Sequence, residues 1–282
     1  MFLQNHHAPE LLPQLHQWMA QNEDGHYCWL MDGSQLDAKE KRWLLRHGRP
    51  WQRALDHSPM AELEDFGPLI WTQPLQLQDW WPEWLAITSG RPLLSVVEFR
   101  HAVPDSAFWH WLSDFRTDDG QKLLLRFADT HTLANVLPLM SDEQLTLLAS
   151  QVARWGWIGR TGEWESATLR GTPAIPEPWE PLEFTQAQFD RMMDRARPDM
   201  LPPILAHYEV ELPQDETPAS LHLRLGQLAE AMNSYGIKDE PSQALFASFA
   251  FEQGDSFHQE AEWQKYWNRT RKGQLLTAAL SE

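Results

Sequence analysis

Cysteine is almost missing from this sequence: Cys28 is the single one in 282 residues. No internal disulfide can form, and a thiolate metal cluster, which needs several sulfur ligands, is excluded. Long apolar runs are missing as well, and the longest fall far short of the roughly 20 residues a membrane-spanning helix needs. The opening MFLQNHHAPELLPQLHQW has no basic segment followed by an apolar run, so it does not read as a secretory signal. The expectation is a cytoplasmic protein without membrane insertion. Basic residues are scarce: 23 Lys and Arg stand against 40 Asp and Glu, for a formal charge of -17. Such a surface repels phosphate backbones and anionic lipids, which disfavours nucleic acid and membrane partners. It keeps a protein soluble, and it suits a basic or hydrophobic protein partner.

Recognisable catalytic motifs are also wanting. There is no His-Glu-x-x-His helix, and His6-His7 stands in a polar terminus expected to be disordered. GWIGRTG, Gly156 to Gly162, has neither the dinucleotide spacing nor the Lys-Ser/Thr of a nucleotide loop, and reads as a tight turn after a strand. Ser34 in DGSQL lacks the flanking glycines of a nucleophile elbow, and Cys28 lies in an apolar strand where a thiol is buried and inert. Asp118-Asp119 and the group Glu62, Glu64, Asp65 read as solvated turn acids. The chain is therefore expected not to be an enzyme, with no catalytic residue, no metal ligand and no cofactor.

What is abundant is tryptophan, sixteen in all, with clusters at Trp80, Trp81 and Trp84 and at Phe108, Trp109 and Trp111. Trp buries a large area and is enriched both in cores and at interfaces. With 42% hydrophobic residues the chain can build a sizeable core. Strands are predicted at Tyr27 to Met31, closed by the turn Asp32-Gly33-Ser34, at Leu93 to Phe99, and at Lys122 to Phe127 after the turn TDDG. Pro104 to Phe115 carries Phe108, Trp111, Leu112 and Phe115 at helical spacing. Two short helices follow, Thr130 to Met140 and Ser141 to Ala149, the second opened by a Ser141 and Gln144 capping box. Trp155 to Ile158 reads as a returning edge strand.

GTPAIPEPWEP, Gly171 to Pro181, holds four prolines and reads as a linker. Beyond it the periodicity is helical only. Thr185 with Gln188 forms a capping box, and Phe184 with Phe189 a hydrophobic staple. A helix starts after Thr217-Pro218 and stops at Gly236; the next runs from Glu240-Pro241 to Gly254, and a last one from about Glu260 to Leu280. The fold class expected is α+β: an α/β lobe over residues 1–172 with a small sheet flanked by helices, a linker over 173–181, and an all-helical lobe over 182–282.

RFAD places Arg126 and Asp129 at the end of a buried strand, where an unpaired charge would cost several kcal/mol, so both are expected to have partners. The succession YCWLMDGS, EDFGPLIW, LLSVVEFR, DDGQKLLLRFAD and HTLANVLPLM resembles the bacterial type VI secretion effector chaperone or adaptor family, grouped as a domain of unknown function. The family pattern falls on Leu30, Asp32 and Gly33, on Gly67 and Pro68 with Leu69 and Ile70, on Arg126, Phe127 and Asp129, and on Leu137 and Pro138. Order and spacing agree from about Tyr27 to about Trp164, and the Tyr235 to Ile237 segment is also similar to family members. FADT departs from the pattern, since many members carry an aromatic before the Asp and an Arg-type residue soon after it.

The resemblance implies a non-catalytic adaptor that binds an effector toxin protein and docks it onto the spike protein of the secretion apparatus. It also implies that Asp32, Gly33, Gly67, Pro68, Arg126, Phe127 and Asp129 are structural. The alternatives are an immunity-like protein that neutralises a toxin by acidic complementarity, and an uncharacterised enzyme. Inter-domain clefts favour binding, so an effector segment is expected near Trp164, Trp179 and Tyr235, with plain aromatic packing as the competing expectation.

Overall fold

Tyr27-Cys28-Trp29-Leu30-Met31 has no polar alternation, and a strand of that kind needs cover on both faces. The computed structural model, which describes residues 2–46, 51–56, 67–72, 81–171 and 181–281, supplies it. The first elements are α1 (Leu11–Ala20), β1 (His26–Asp32), α2 (Ala38–Arg46), β2 (Gln52–Arg53), β3 (Pro68–Trp71), α3 (Trp81–Thr88) and β4 (Leu94–Phe99). Then come α4 (Ser106–Ser113), β5 (Asp114–Thr117), β6 (Lys122–Leu124), α5 (Thr130–Val136), α6 (Asp142–Gln151), β7 (Val152–Ile158), β8 (Trp164–Thr168) and β9 (Leu182–Phe184). The rest is helical: α7 (Gln186–His207), α8 (Pro218–Ser234), α9 (Glu240–Gln253), α10 (Gln264–Thr270) and α11 (Leu276–Leu280). The fold is α+β.

Six strands form an antiparallel sheet in the order β2-β3-β1-β4-β7-β8. Side chains alternate between its faces. Trp29, Met31, Trp71, Leu94 and Val96 join α1 residues Leu11, Leu15 and Trp18 in one core. Cys28, Leu30, Ile70, Val97, Phe99 and Trp155 join Phe108, Trp109 and Phe127 in the other. Trp109 is fully buried, stacked on Phe127 at 5.7 Å and edge-on to Phe99 at 5.7 Å. A second, three-stranded sheet has the order β6-β5-β9, with β5 and β9 parallel.

Several sequence expectations are corrected. Phe115 ends no helix: α4 stops at Ser113, and Phe115 reaches the same core from β5, which is why the apolar spacing ran on. Strand Lys122 to Phe127 shortens to β6, and β7 is an interior strand, the edge being the polar β8. The last helix is broken into α10 and α11 around Gly273, whose φ is 90°. His6 and His7 are held, not loose: Ser89 Oγ meets His6 Nδ1 at 3.2 Å and accepts from His7 N at 3.1 Å. Neighbouring Asn5 N and Ala8 N donate to Arg160 O and Gly162 O. The GWIGRTG segment makes the expected tight turn, Gly159 N donating to Glu163 O at 2.9 Å. Both capping boxes form, at Ser141 with Gln144 and at Thr185 with Gln188.

The chain divides into two compact units, Gln4–Met193 and Asp194–Glu282 with Met1–Leu3. The division falls inside α7, because Leu182 and Phe184 enter the first unit's core and Phe189 and Met192 pack against it. Strand β9 therefore lies within the segment expected to be all-helical. Linker residues Pro173, Pro176, Pro178 and Trp179 lie outside the described residues. The helical unit is built on Leu205, Leu225, Met232, Phe246, Phe257 and Trp267. Among the described residues no helix is long and apolar enough to cross a membrane.

Helices α7 and α8 end in the same hydrogen-bonded motif. Val210 N donates to Leu205 O and Glu209 N to Ala206 O; Ile237 N donates to Met232 O and Gly236 N to Asn233 O. The motif needs a left-handed residue, which is Gly236 at φ 72° in α8 but Glu209 at φ 57° in α7. Glu209→Gly should raise the unfolding free energy by about 1 kcal/mol and Gly236→Ala should lower it by a similar amount. Urea unfolding of the full chain measures both, and a destabilised Glu209→Gly variant would contradict the strain argument.

Candidate functional site

Strand β1 ends on a carboxylate that cannot reach water: Asp32 is 3% exposed. Its Oδ1 accepts from Ser34 N at 3.0 Å and from the Ser34 hydroxyl at 2.8 Å, capping the single turn Gly33–Gln35. Its Oδ2 accepts from Arg126 Nη2 at 2.5 Å and from Gln35 Nε2 at 3.3 Å. A second buried carboxylate, Asp129, caps α5 by accepting from His131 N at 2.9 Å and Thr132 N at 3.2 Å. Its other oxygen accepts from Gln35 Nε2 at 3.0 Å and lies 3.4 Å from Arg126 Nη2. Arg126 and Gln35 thus each bridge two carboxylates. Arg126 also donates to Ser34 Oγ at 2.8 Å.

The other motif positions close around this corner. Gly33 stands so near the Gly67 carbonyl that a Cβ would come within 2.4 Å of the oxygen, so the position admits only glycine. Pro68 pairs with Asp32 in the β3–β1 register, and Phe127 is buried against Trp109. Asp32, Gly67, Pro68, Leu124, Leu125 and Arg126 line one hollow. Gln35 and Leu124 are the members that sequence reasoning missed. In DGSQL the sequence points to the serine and not to the amide, and Leu124 reads as one residue of an apolar strand.

The remaining candidates sit elsewhere. Trp164, in β8, is half-buried, its ring edge-on to Trp18 at 5.4 Å. Tyr235 is buried in the helical unit, stacked on Trp267 at 4.7 Å, with its hydroxyl 3.0 Å from His258 Nδ1. Each packs within its own unit, and Trp179 lies outside the described residues. A second polar cluster joins Glu98 and Arg154, neighbours across β4 and β7. Asn22 donates to Glu98 at 2.5 Å, and the Arg154 guanidinium covers the Trp18 ring at 4.5 Å while donating to Trp18 O and Tyr27 Oη. These groups satisfy one another and tie α1 to the sheet. Burial pushes the Cys28 thiol up, leaving it unreactive. Among the described residues no three His, Cys, Asp or Glu side chains are grouped to hold a metal ion.

Asp129 is the perturbed group of the corner. Burial, and then the charge of Asp32, push its carboxyl up from 3.8 to about 6, against the pull of Arg126 and of the Thr132 and His131 amides. A carboxyl that binds its proton more tightly when folded stabilises the fold most below about pH 4, and that contribution is lost as pH rises through about 6. His7, pulled down by burial from 6.5 to about 4, acts in the opposite sense over the same range, so whole-protein stability mixes the two. The expected result is a wild-type minus Asp129→Asn difference in unfolding free energy that falls as pH rises from about 4 to about 6. A difference flat across that window would show that Asp129 stays ionised.

Comparison with known proteins adds one match. Residues 26–147 match the family described as Domain of unknown function (DUF4123). The matched stretch is less than half of the chain; it holds every position of the buried corner and leaves out Trp164 and Tyr235. No curated protein and no solved structure matches the chain.

Proposed function

We propose that this protein is a non-catalytic adaptor or chaperone that binds a type VI secretion effector and helps load it onto the spike protein of the secretion apparatus. One observation carries the reading. Six of the positions through which the sequence resembles that adaptor family, Asp32, Gly33, Gly67, Pro68, Arg126 and Asp129, meet in one corner, although Asp32 and Arg126 are 94 residues apart. Short motifs agreeing by chance have no reason to be in contact, so their convergence supports a resemblance of architecture as well as of letters. The acidic balance of the chain fits a basic or apolar protein client.

The test is co-expression of the full chain with a type VI effector toxin and with the spike protein of the same bacterium. The expected outcome is a complex containing all three, with spike-bound toxin reduced about tenfold or more when the chain is omitted. A chain that binds the toxin and blocks its activity, yet leaves its attachment to the spike unchanged, would be an immunity protein instead.

A further inference from the structure

Among the described residues, strand β6 is paired along one of its two edges. Leu125 N donates to Ser113 O at 2.8 Å, Thr117 N donates to Gln121 O at 3.0 Å, and Phe115 stands opposite Leu123. Residues 121, 123 and 125 therefore face β5, and Lys122 and Leu124 turn their N–H and C=O groups the other way. β6 is the outer strand of its sheet, and no described residue hydrogen-bonds those groups. Beside this edge the Leu124 side chain is 40% exposed and forms one wall of the hollow, with Pro68, Leu125 and Arg126. To described residues Arg126 commits Nη2 alone, to Asp32, Ser34 and Asp129. Among the described residues nothing accepts from its Nε or Nη1.

Each feature narrows what can bind. Outward main-chain donors and acceptors are matched by another extended backbone. The unused Arg126 donors call for oxygen. A partner carboxylate is disfavoured, because Asp32 and Asp129 outnumber the one guanidinium and leave the corner negative. A peptide carbonyl accepts without that penalty, and the walls of Leu124, Leu125 and Pro68 favour an apolar side chain.

We propose that β6 is a docking edge for an extended apolar segment of the effector, free of acidic residues. Its backbone pairs with Lys122 and Leu124, one of its carbonyls accepts from Arg126, and one apolar side chain rests on Leu124 in the hollow. The inference rests on the adaptor reading and adds to it where the client is gripped.

Amide exchange at single residues, in the full chain with and without the co-purified effector, tests it. Exchange at Lys122 and Leu124 should slow about tenfold or more in the complex. Leu124→Pro removes an edge donor without touching the bonds to β5, and should weaken effector binding about tenfold at an unchanged melting temperature. Arg126→Lys keeps the charge but loses the Nε and Nη1 donors, and should weaken binding severalfold. Failure of the wild-type chain to bind the effector would sink the adaptor reading and this inference together. A complex in which both amides exchange as in the free chain would overturn the docking edge alone, as would a folded Leu124→Pro variant that binds like wild type. If Leu124→Pro does not fold, the exchange measurement on the wild type decides by itself.

Discussion

Two carboxylates, Asp32 and Asp129, are taken out of water around one guanidinium, and much of the mixed unit is arranged to make that tolerable. Removing an ion from water costs several kcal/mol unless each lone pair finds a donor. The donors come from four places: the Gly33–Gln35 turn, Gln35 itself, Arg126, and the first amides of α5. Satisfying them fixes where β1 ends, where the segment after β6 turns, and where α5 begins. Thr130 continues the constraint by donating to Pro92 O and, through its hydroxyl, to Ile158 O, which ties α5 to the loop before β4 and to the end of β7. The glycine contact of Gly33 with Gly67 belongs to the same closure, since a side chain there would push β3 away from β1.

The tryptophans answer a different need. A six-stranded antiparallel sheet covered on both faces has to fill two layers, and wide indoles do so with few residues: Trp29, Trp71 and Trp84 on one side, Trp109 and Trp155 on the other. Edge-to-face and stacked contacts among these rings set their orientation as well as their volume. The abundance of Trp thus has a packing explanation at these positions. Where a client binds has to be sought at polar and main-chain features instead.

Features encoded locally were legible in the sequence. The capping boxes at Ser141 and Thr185, the proline-started helices at Pro218 and Pro241, and the apolar β1 each depend on residues within a few positions of one another. What was lost depends on distant partners. Phe115 continues a helical spacing because β5 and α4 face one core, so periodicity could not tell strand from helix there. β8 was not read because its exposed, polar sequence makes sense only beside β7. In the corner, Arg126 keeps 44% of its side chain exposed beyond the outer strand β6, not buried as expected, but the need for partners at Asp129 was legible from the cost of burying charge. That Gln35 would serve both carboxylates was not, because an amide in a turn carries no signal of what lies 94 residues away.

The division of the chain has a consequence for its synthesis. Leu3 is buried in the helical unit, with partners among residues 201–276, while the intervening stretch forms a unit of its own. A ribosome delivers Leu3 before the mixed unit and its partners after it. The mixed unit can therefore close as it emerges, whereas Leu3 has no core to enter until residues 201–276 have been made. The order of translation, with the segment of one unit inserted in the sequence of the other, leaves the apolar Leu3 without its core while residues 4–193 are being made.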